Sequence, residues 1–345
     1  LSSYLPNFML RLYDTILSMT KVSFFTLGCR ANQAETAVLE NVFREQGFHL
    51  VDGAAADITV INSCTVTEES DRECRRIVKR ACELNPGVRI AVIGCQAQVQ
   101  REKLLAMPNV RWVVGNAAKM RLAEIILADT SRDARLIMRP IRRAPFTMPI
   151  VPLKGRRTRA HLKIQDGCDN FCAYCEVPYA RGRARSRVFE DVMAAGRALV
   201  AAGHQEIVLT GVNLALYAHE GHDLVDVARS LERIPGLKRV RLSSVEYAPW
   251  IVELAGLMRP PHKLCRSLHI PVQSGCDRIL RRMGRRYTAA DIAGLVQKLS
   301  RKVPGILLGT DVIAGFPGET EDDFQQTFDL LKEQPFRYFH VFSFS

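Results

Sequence analysis

Short runs of β-branched and aromatic residues alternate with amphipathic stretches along most of the chain, and no other feature restricts the possible folds so strongly. In the first third, the expected strands are 21–27, 58–62, 89–93 and 111–114. The stretches between them, with apolar residues three and four apart, predict helices at 34–46, 68–84 and 98–106. Alternating strands and helices build parallel sheets covered on both faces, so this part is predicted to be a doubly wound α/β domain.

A second alternation follows a proline- and arginine-rich segment at about 130–157. Its expected strands are 161–165, 206–209, 239–243, 268–271, 307–313 and 338–342. The helices predicted between them are 189–201, 224–232, 251–258, 289–300 and 321–332. Six successive βα units predict a second α/β domain with parallel strands.

Three cysteines at the start of the second domain have the spacing C-x3-C-x2-C: Cys168, Cys172 and Cys175. They offer three thiolates to a [4Fe–4S] cube and leave one iron open for a substrate or cofactor, whereas electron-carrier ferredoxins use four cysteines. A structural zinc site is the alternative. It needs four ligands, and the nearest upstream histidine, His161, is expected within a strand.

Three further cysteines, Cys29, Cys64 and Cys95, each follow a predicted strand of the first domain by two residues. The carboxyl ends of parallel strands meet at one edge of the sheet, where ligands collect, so these cysteines are predicted to converge on a second [4Fe–4S] cluster with its own open iron. The alternative is that each is a small buried hydrophobic residue. Cys74 and Cys82 fall within one predicted helix and are interpreted as core or surface residues.

Length and composition agree with two domains in a chain of 345 residues that is 47% hydrophobic. We expect an N-terminal extension at 1–19, a first domain at 20–129, a basic linker at 130–157 and a second domain at 158–345. No apolar run is long enough for a membrane span and no signal peptide begins the chain, so a cytoplasmic protein with metal or redox chemistry at its ten cysteines is expected. Because residue 1 is leucine, we expect a fragment or a start upstream of the natural methionine.

The formal net charge of +12 is concentrated in one segment. Between Arg139 and Arg187, twelve basic residues against three acidic ones give +9. Such a segment is typical of a surface that binds phosphate backbones, and we assign Arg156, Arg157 and Arg159 to RNA contacts. A solvated linker is the alternative.

Ordered short motifs carry a family resemblance. Around and after the Cys168 loop they are Leu162-Lys-Ile-Gln-Asp-Gly-Cys168, Pro178-Tyr-Ala-Arg-Gly-Arg-Ala-Arg-Ser-Arg187, Leu209-Thr-Gly-Val-Asn213, Arg241-Leu-Ser-Ser-Val-Glu246, His269-Ile-Pro-Val-Gln-Ser-Gly275 and Asp311-Val-Ile-Ala-Gly-Phe-Pro-Gly-Glu-Thr320. Before it they are Thr26-Leu-Gly-Cys29, Ile61-Asn-Ser-Cys64-Thr-Val-Thr67 and Ile93-Gly-Cys95. Together they resemble the radical S-adenosylmethionine (SAM) methylthiotransferases over nearly everything after residue 20.

The resemblance implies an open partial (β/α)6 radical SAM barrel, two [4Fe–4S] clusters and SAM. SAM would bind the open iron at Cys168, Cys172 and Cys175, and the cluster at Cys29, Cys64 and Cys95 would supply sulfur. Candidate SAM contacts at the carboxyl ends of the barrel strands are Tyr174, Gly211, Asn213, Ser243, Ser244, Glu246, Gln273, Ser274, Gly315 and Phe316. Core tyrosine and simple turns are alternatives for some of them. Arg183 and Arg185 would bind SAM or RNA, or would only pair with acidic neighbours. At two positions the sequence departs from the family pattern, with Glu176 in place of an apolar residue and Cys276 in place of a small residue such as serine.

The string Leu27-Gly-Cys-Arg-Ala-Asn-Gln33 is most similar to the branch that acts on N6-threonylcarbamoyladenosine beside the tRNA anticodon. The resemblance therefore implies a tRNA anticodon stem-loop as substrate, an external electron donor of flavodoxin or ferredoxin type, and a monomer without its C-terminal RNA-binding β-barrel domain. The isopentenyl-adenosine branch is the first alternative and the ribosomal-protein aspartate branch the second. A non-catalytic iron–sulfur RNA-binding protein and a plain electron carrier are the alternatives from other classes.

Overall fold

The residues that this computed structural model describes, 20–53, 56–65, 68–150 and 158–344, divide into two units. Within them, the first unit comprises 20–142, 149–150 and 179–181, and the second comprises 143–148, 158–178 and 182–344. The expected N-terminal extension at 1–19 and two of the three arginines assigned to RNA, Arg156 and Arg157, lie outside the described residues.

The first unit is built on one parallel sheet. Its strands are β1 (Lys21–Thr26), β2 (His49–Leu50), β3 (Ile58–Ser63), β4 (Arg89–Gly94), β5 (Val110–Val114) and β6 (Arg135–Ile137), in the order β2-β1-β3-β4-β5-β6. The four predicted strands are confirmed as β1, β3, β4 and β5. Strands β2 and β6 have only two and three residues, too few for a periodic signal in the sequence.

Helices cover both faces of this sheet, as the doubly wound prediction requires. They are α1 (Arg30–Glu45), α2 (Glu68–Leu84), α3 (Cys95–Val99), α4 (Arg101–Leu105) and α5 (Leu122–Leu127). Val60 of β3 belongs to the same apolar cluster as Leu39 of α1, whereas its neighbour Ile61 belongs to the cluster that contains Val78 of α2. Because successive strand residues point to opposite faces, the sheet has two separate apolar cores. The predicted helix 98–106 is in fact the two short helices α3 and α4, and α5 was not predicted.

The second unit contains six parallel strands and one short antiparallel pair. The strands are β7 (Arg159–Lys163), β8 (Gln165–Asp166), β9 (Arg185–Ser186), β10 (Glu206–Thr210), β11 (Arg239–Leu242), β12 (Ser267–His269), β13 (Leu307–Ala314) and β14 (Tyr338–Ser343). Parallel sheets β7-β10-β11 and β12-β13-β14 are joined by isolated bridges at Val240–Leu264 and Ser244–His269, while β8 pairs with β9. All six predicted strands are present, in chain order around an open, partial barrel.

Helices follow these strands. They are α6 (Val177–Arg181), α7 (Phe189–Ala201), α8 (Leu224–Glu232), α9 (Leu254–Leu257), α10 (Asp277–Arg282), α11 (Ala289–Lys302) and α12 (Glu321–Glu333). Helices α8, α11 and α12 each begin with a capping box, in which the N-cap side chain and the N3 aspartate satisfy each other's backbone N–H groups. The predicted helices 189–201 and 224–232 are confirmed with these bounds. No helix of the described residues is long and apolar enough to cross a membrane.

Candidate functional site

The loops that carry Cys29, Cys64 and Cys95 meet at the carboxyl edge of the first sheet. Two glycines in left-handed conformations make the close approach possible. A Cβ added to Gly28 (φ +83°) would lie 2.4 Å from Cys64 Sγ, and one added to Gly94 (φ +95°) would lie 2.6 Å from Asn62 Oδ1. Strand order reverses between β1 and β3, and ligands of open α/β sheets bind at such a switch point.

Asn32, at the start of α1, ties two of these loops together. Its side-chain nitrogen donates to the carbonyl oxygens of Leu27, at 2.8 Å, and Ser63, at 3.0 Å. Its Oδ1 lies 4.0 Å from Cys29 Sγ. The buried Asn32 side chain therefore holds together the loops that follow β1 and β3.

Arg181, in the part of α6 that belongs to the first unit (179–181), contacts the third cysteine. Its Nε donates to Cys95 Sγ at 3.1 Å and its Nη1 to Glu35 Oε1 at 3.0 Å, and its side chain is only 1% exposed. Lys119, also buried, donates to the same Glu35 carboxylate. Two cations and one anion give this buried group a charge of +1.

A buried excess charge is costly unless an opposite charge compensates it. An anionic thiolate at Cys95 would make the group of Arg181, Lys119 and Glu35 neutral, and metal-bound cysteine is a thiolate. The buried charges thus fit an iron–sulfur cluster at this edge. Sequence reasoning missed Arg181, because nothing in the basic segment distinguishes it from its eleven basic neighbours.

The loop of Cys168, Cys172 and Cys175 is shaped by Gly167. This glycine has φ +69°, and an added Cβ would lie 2.1 Å from the carbonyl oxygen of Arg183. Cys168 N donates to the Gly182 carbonyl at 3.1 Å, and Cys175 N to the Cys172 carbonyl at 3.0 Å. Only glycine permits the two segments to lie so close together.

Hydrogen-bond donors lie beside two sulfurs of this loop. Asn213 Nδ2 is 3.8 Å from Cys168 Sγ, and Arg285 Nη1 is 3.7 Å from Cys172 Sγ. Burial raises the pKa of the Cys175 thiol to about 11 and also raises the pKa of Cys168. A cluster held by these cysteines would have to displace their thiol protons at neutral pH.

The number of available ligands distinguishes an iron–sulfur cluster from a structural zinc site. Structural zinc needs four ligands, and this loop supplies three cysteines. His161 lies in β7, as expected, with Nδ1 3.5 Å from Thr210 Oγ1. The loop fits an iron–sulfur cube better than zinc.

Several of the predicted SAM contacts surround this loop. Tyr174 packs against a small core formed by Cys276, Ile279, Met283 and Phe316, and burial raises its pKa. Ser243, at the end of β11, has a buried Oγ without a hydrogen-bond partner in the described structure. A buried hydroxyl that lacks a partner fits a ligand with polar groups, which supports SAM at this position.

Other predicted contacts have protein partners. Arg285 Nη1 donates to Glu246 Oε2 at 2.7 Å, and Ser274 Oγ lies 3.2 Å from Thr327 Oγ1. Gly315 N donates to Glu319, and Ser244 forms a bridge with His269. Gln273 has φ +69°, a conformation that is strained for a residue other than glycine or asparagine and that is common at ligand sites.

Gln165 is a residue of this site that sequence reasoning missed. Its Oε1 accepts from the backbone N–H groups of Val212 and Asn213, and its Nε2 donates to the carbonyl oxygens of Asp166 and Gly167. A Cβ on Gly211 would lie 2.9 Å from Gln165 Cβ. One side chain therefore fixes the loops after β8 and β10, and only the fold shows that these loops are neighbours.

The predicted RNA-contacting arginines fall into two groups. Arg183 is exposed, lies 4.4 Å from the ring centroid of Phe171 and is 3.7 Å from Asp169. Arg185 is half-buried and donates to Asp166, and Arg159 is paired at 3.0 Å with Glu206 at the amino end of β7. Acidic neighbours thus hold Arg185 and Arg159.

The cysteines outside the two sets are not placed as ligands. Cys74 is fully buried, and burial raises its pKa to about 12, as suits a core residue. The Cys276 thiol donates a hydrogen bond to Asp323 Oδ1 at 3.0 Å. Burial is the larger cause of the raised pKa of Cys276, and this hydrogen bond is the second. Glu176 is exposed before α6.

Comparisons with known proteins agree with both units. The radical SAM superfamily matches residues 162–331, and the family described as uncharacterized protein family UPF0004 matches residues 21–115. Among solved structures, the radical SAM methyltransferase TsrM of Kitasatospora setae, with cobalamin and a [4Fe–4S] cluster bound, has a TM-score of 0.66 at 18% identity. The similarity covers 94% of this chain and 75% of that one. The cobalamin-dependent radical enzyme OxsB has a TM-score of 0.62 at 15% identity, covering 92% of this chain and 52% of that one. These similarities show the shared fold.

Sequence relatives are much more similar. The threonylcarbamoyladenosine tRNA methylthiotransferase of Bacillus subtilis is 40% identical, over 95% of this chain and 74% of that protein, and that of Aquifex aeolicus is 37% identical, over 94% and 80%. The tRNA-2-methylthio-N(6)-dimethylallyladenosine synthase of Cereibacter sphaeroides is 35% identical, over 94% and 76%. The chain therefore belongs to the radical SAM methylthiotransferase family, whose members are transferases that use SAM and [4Fe–4S] clusters.

Proposed function

We propose that this protein adds a methylthio group to N6-threonylcarbamoyladenosine next to the anticodon of tRNA. The observation that carries the proposal is the pair of three-cysteine sites, Cys29, Cys64 and Cys95 in one unit and Cys168, Cys172 and Cys175 in the other. Each leaves one iron of a cube open, and a transfer that needs both a radical and a sulfur atom needs two such irons. The 40% identical relative that bears this activity in its name supports the choice of substrate.

The protein's own residues position the reacting groups. When bound, SAM and the clusters supply the radical, the sulfur and the methyl group. Asn213 and Arg285 donate toward the sulfurs of Cys168 and Cys172, while Ser243 and Tyr174 offer SAM a hydroxyl and an aromatic surface. On this proposal Gly211, Ser244, Glu246, Gln273, Ser274, Gly315 and Phe316 complete the SAM site.

Phe171 and Arg183 are suited to RNA. The ring and the guanidinium are both exposed, on the loop that carries the radical-site cysteines and just after it. RNA-binding proteins stack splayed bases on such aromatic and guanidinium planes. We assign the bases of the anticodon loop to this surface and its phosphates to Arg156 and Arg157. We also propose that the protein is a cytoplasmic monomer and that a flavodoxin- or ferredoxin-type protein supplies the electron for its radical cluster.

Anaerobic reconstitution is expected to yield about eight irons per chain, because two cubes of four are proposed. Replacing Cys29, Cys64 and Cys95 with alanine should leave about four, whereas replacing Cys82 and Cys265, which belong to neither set, should leave about eight. With SAM, a reductant and a stem-loop RNA that carries threonylcarbamoyladenosine, the eight-iron protein should form the methylthio nucleoside. About four irons in the unsubstituted protein, or no product from an eight-iron preparation, would contradict the proposal.

The dimethylallyladenosine branch is the second candidate, because a relative with that activity is 35% identical. The two substrates differ in the group on N6. One ends in a carboxylate, and the other is a hydrocarbon. A polar barrel interior would therefore favour threonylcarbamoyladenosine as the substrate, and an apolar interior would favour dimethylallyladenosine.

A further inference from the structure

The last three barrel strands carry a polar group that none of the assignments above uses. We call His269 of β12, Asp311 of β13 and His340 of β14 the His–Asp–His cluster. Asp311 Oδ1 is 2.9 Å from His269 Nε2 and 2.9 Å from His340 Nδ1. His269 Nδ1 is in turn 3.3 Å from the Tyr338 hydroxyl.

Strand alternation places this cluster on the same face of the barrel as the SAM site. Side chains two residues apart on a strand share a face, so Asp311 lies on the side of Ile313. Ile313 and Tyr174 pack against the same small core of Cys276, Ile279, Met283 and Phe316, and Tyr174 stands between Cys172 and Cys175 in the chain. Asp311 is thus about 7 Å along the strand from a residue that shares this core with the cysteine loop.

Exposure increases across the cluster. The His269 side chain is 10% exposed, Asp311 21% and His340 59%. Within the described residues, His340 is therefore the member most accessible to a ligand, and His269 is the least accessible.

Asp311 orients the His340 ring. Burial alone would raise the pKa of Asp311, but hydrogen bonds and charge attraction from His269 and then His340 lower it, so the group is a carboxylate. Because the carboxylate accepts from Nδ1 of His340, Nε2 lies on the ring edge away from Asp311. When both ring nitrogens carry a proton, Nε2–H can donate to a second carboxylate while Nδ1–H donates to Asp311, which satisfies both N–H groups.

We propose that His340, held by Asp311, binds the carboxylate of the threonyl group of the substrate nucleoside and so selects an acidic N6 substituent over an apolar one. This inference rests on the proposed function. A hydrocarbon substituent in the same place would cover the imidazole and Asp311 without giving them a partner, and sites built for hydrogen bonds reject ligands that lack them.

Three stem-loop RNAs test the proposal: one with threonylcarbamoyladenosine, one with its methyl ester and one with dimethylallyladenosine. For the unsubstituted protein, kcat/KM on the acid should exceed that on the ester about 10- to 100-fold. His340→Leu should lose most of that preference, through a higher KM on the acid, with little further loss on the ester. His340→Gln, which keeps one donor, should fall between them.

His262→Leu is the matched control. His262 also pairs its Nδ1 with a carboxylate, Glu232, at 2.7 Å, but it lies outside the proposed site, so activity should stay unchanged. Iron content equal to that of the unsubstituted protein checks that each variant is folded. If the unsubstituted protein turns over the acid but His340→Leu keeps its preference for acid over ester, the inference is wrong. If the unsubstituted protein turns over only the dimethylallyl RNA, the proposed function fails and the inference with it.

Discussion

Replacing Cys172 with alanine is expected to reduce reductive cleavage of SAM to background, because the radical site then keeps only two of its three thiolates. Replacing Cys64 should leave cleavage measurable and remove the methylthio product, since that cysteine belongs to the other unit. Formation of 5′-deoxyadenosine and of the methylthio nucleoside, measured on the same samples, separates the two roles. Equal loss of cleavage in both folded variants would contradict the assignment of one site to radical chemistry and the other to sulfur.

Replacing Arg181 with leucine is expected to destabilise the protein by about 1–3 kcal/mol, because it removes buried hydrogen bonds to Glu35 and Asn32 while Lys119 still pairs with the Glu35 carboxylate. Denaturant unfolding of the metal-free protein measures this change. The iron held at Cys29, Cys64 and Cys95 should also decrease, because the donor to Cys95 is lost.

Arg183→Leu is the control for Arg181. The two arginines lie two positions apart in the same basic segment, but Arg183 is 56% exposed and pairs with Asp169 at 3.7 Å. Exposed pairs contribute little, so the change in unfolding free energy should be below about 1 kcal/mol. Similar losses in both variants would show that the buried group around Glu35 does not stabilise the first unit.

Much of the fold could be predicted because the strands are short β-branched runs between amphipathic helices. The six barrel strands and the two apolar cores follow from that pattern alone. Strands β2 and β6 could not be predicted, since two or three residues carry no period. Helix α10, with six residues after a turn, was missed for the same reason.

The contacts of the candidate site were less predictable than its cysteines. Spacing alone selects Cys168, Cys172 and Cys175, whereas Arg181 meets Cys95 from 86 positions away in the chain. His269, Asp311 and His340 are brought together by the register of three strands, in which Asp311 pairs with His340 and His269 with Gly309. Such contacts depend on tertiary structure, and local sequence does not contain them.

Mass spectrometry of tRNA nucleosides tests the central claim most directly. Cells that lack this protein should contain N6-threonylcarbamoyladenosine without its methylthio derivative. Returning the protein should restore the methylthio derivative, and returning the Cys172→Ala variant should not. A methylthio group that appears instead on dimethylallyladenosine, or no change in any tRNA nucleoside, would contradict the account.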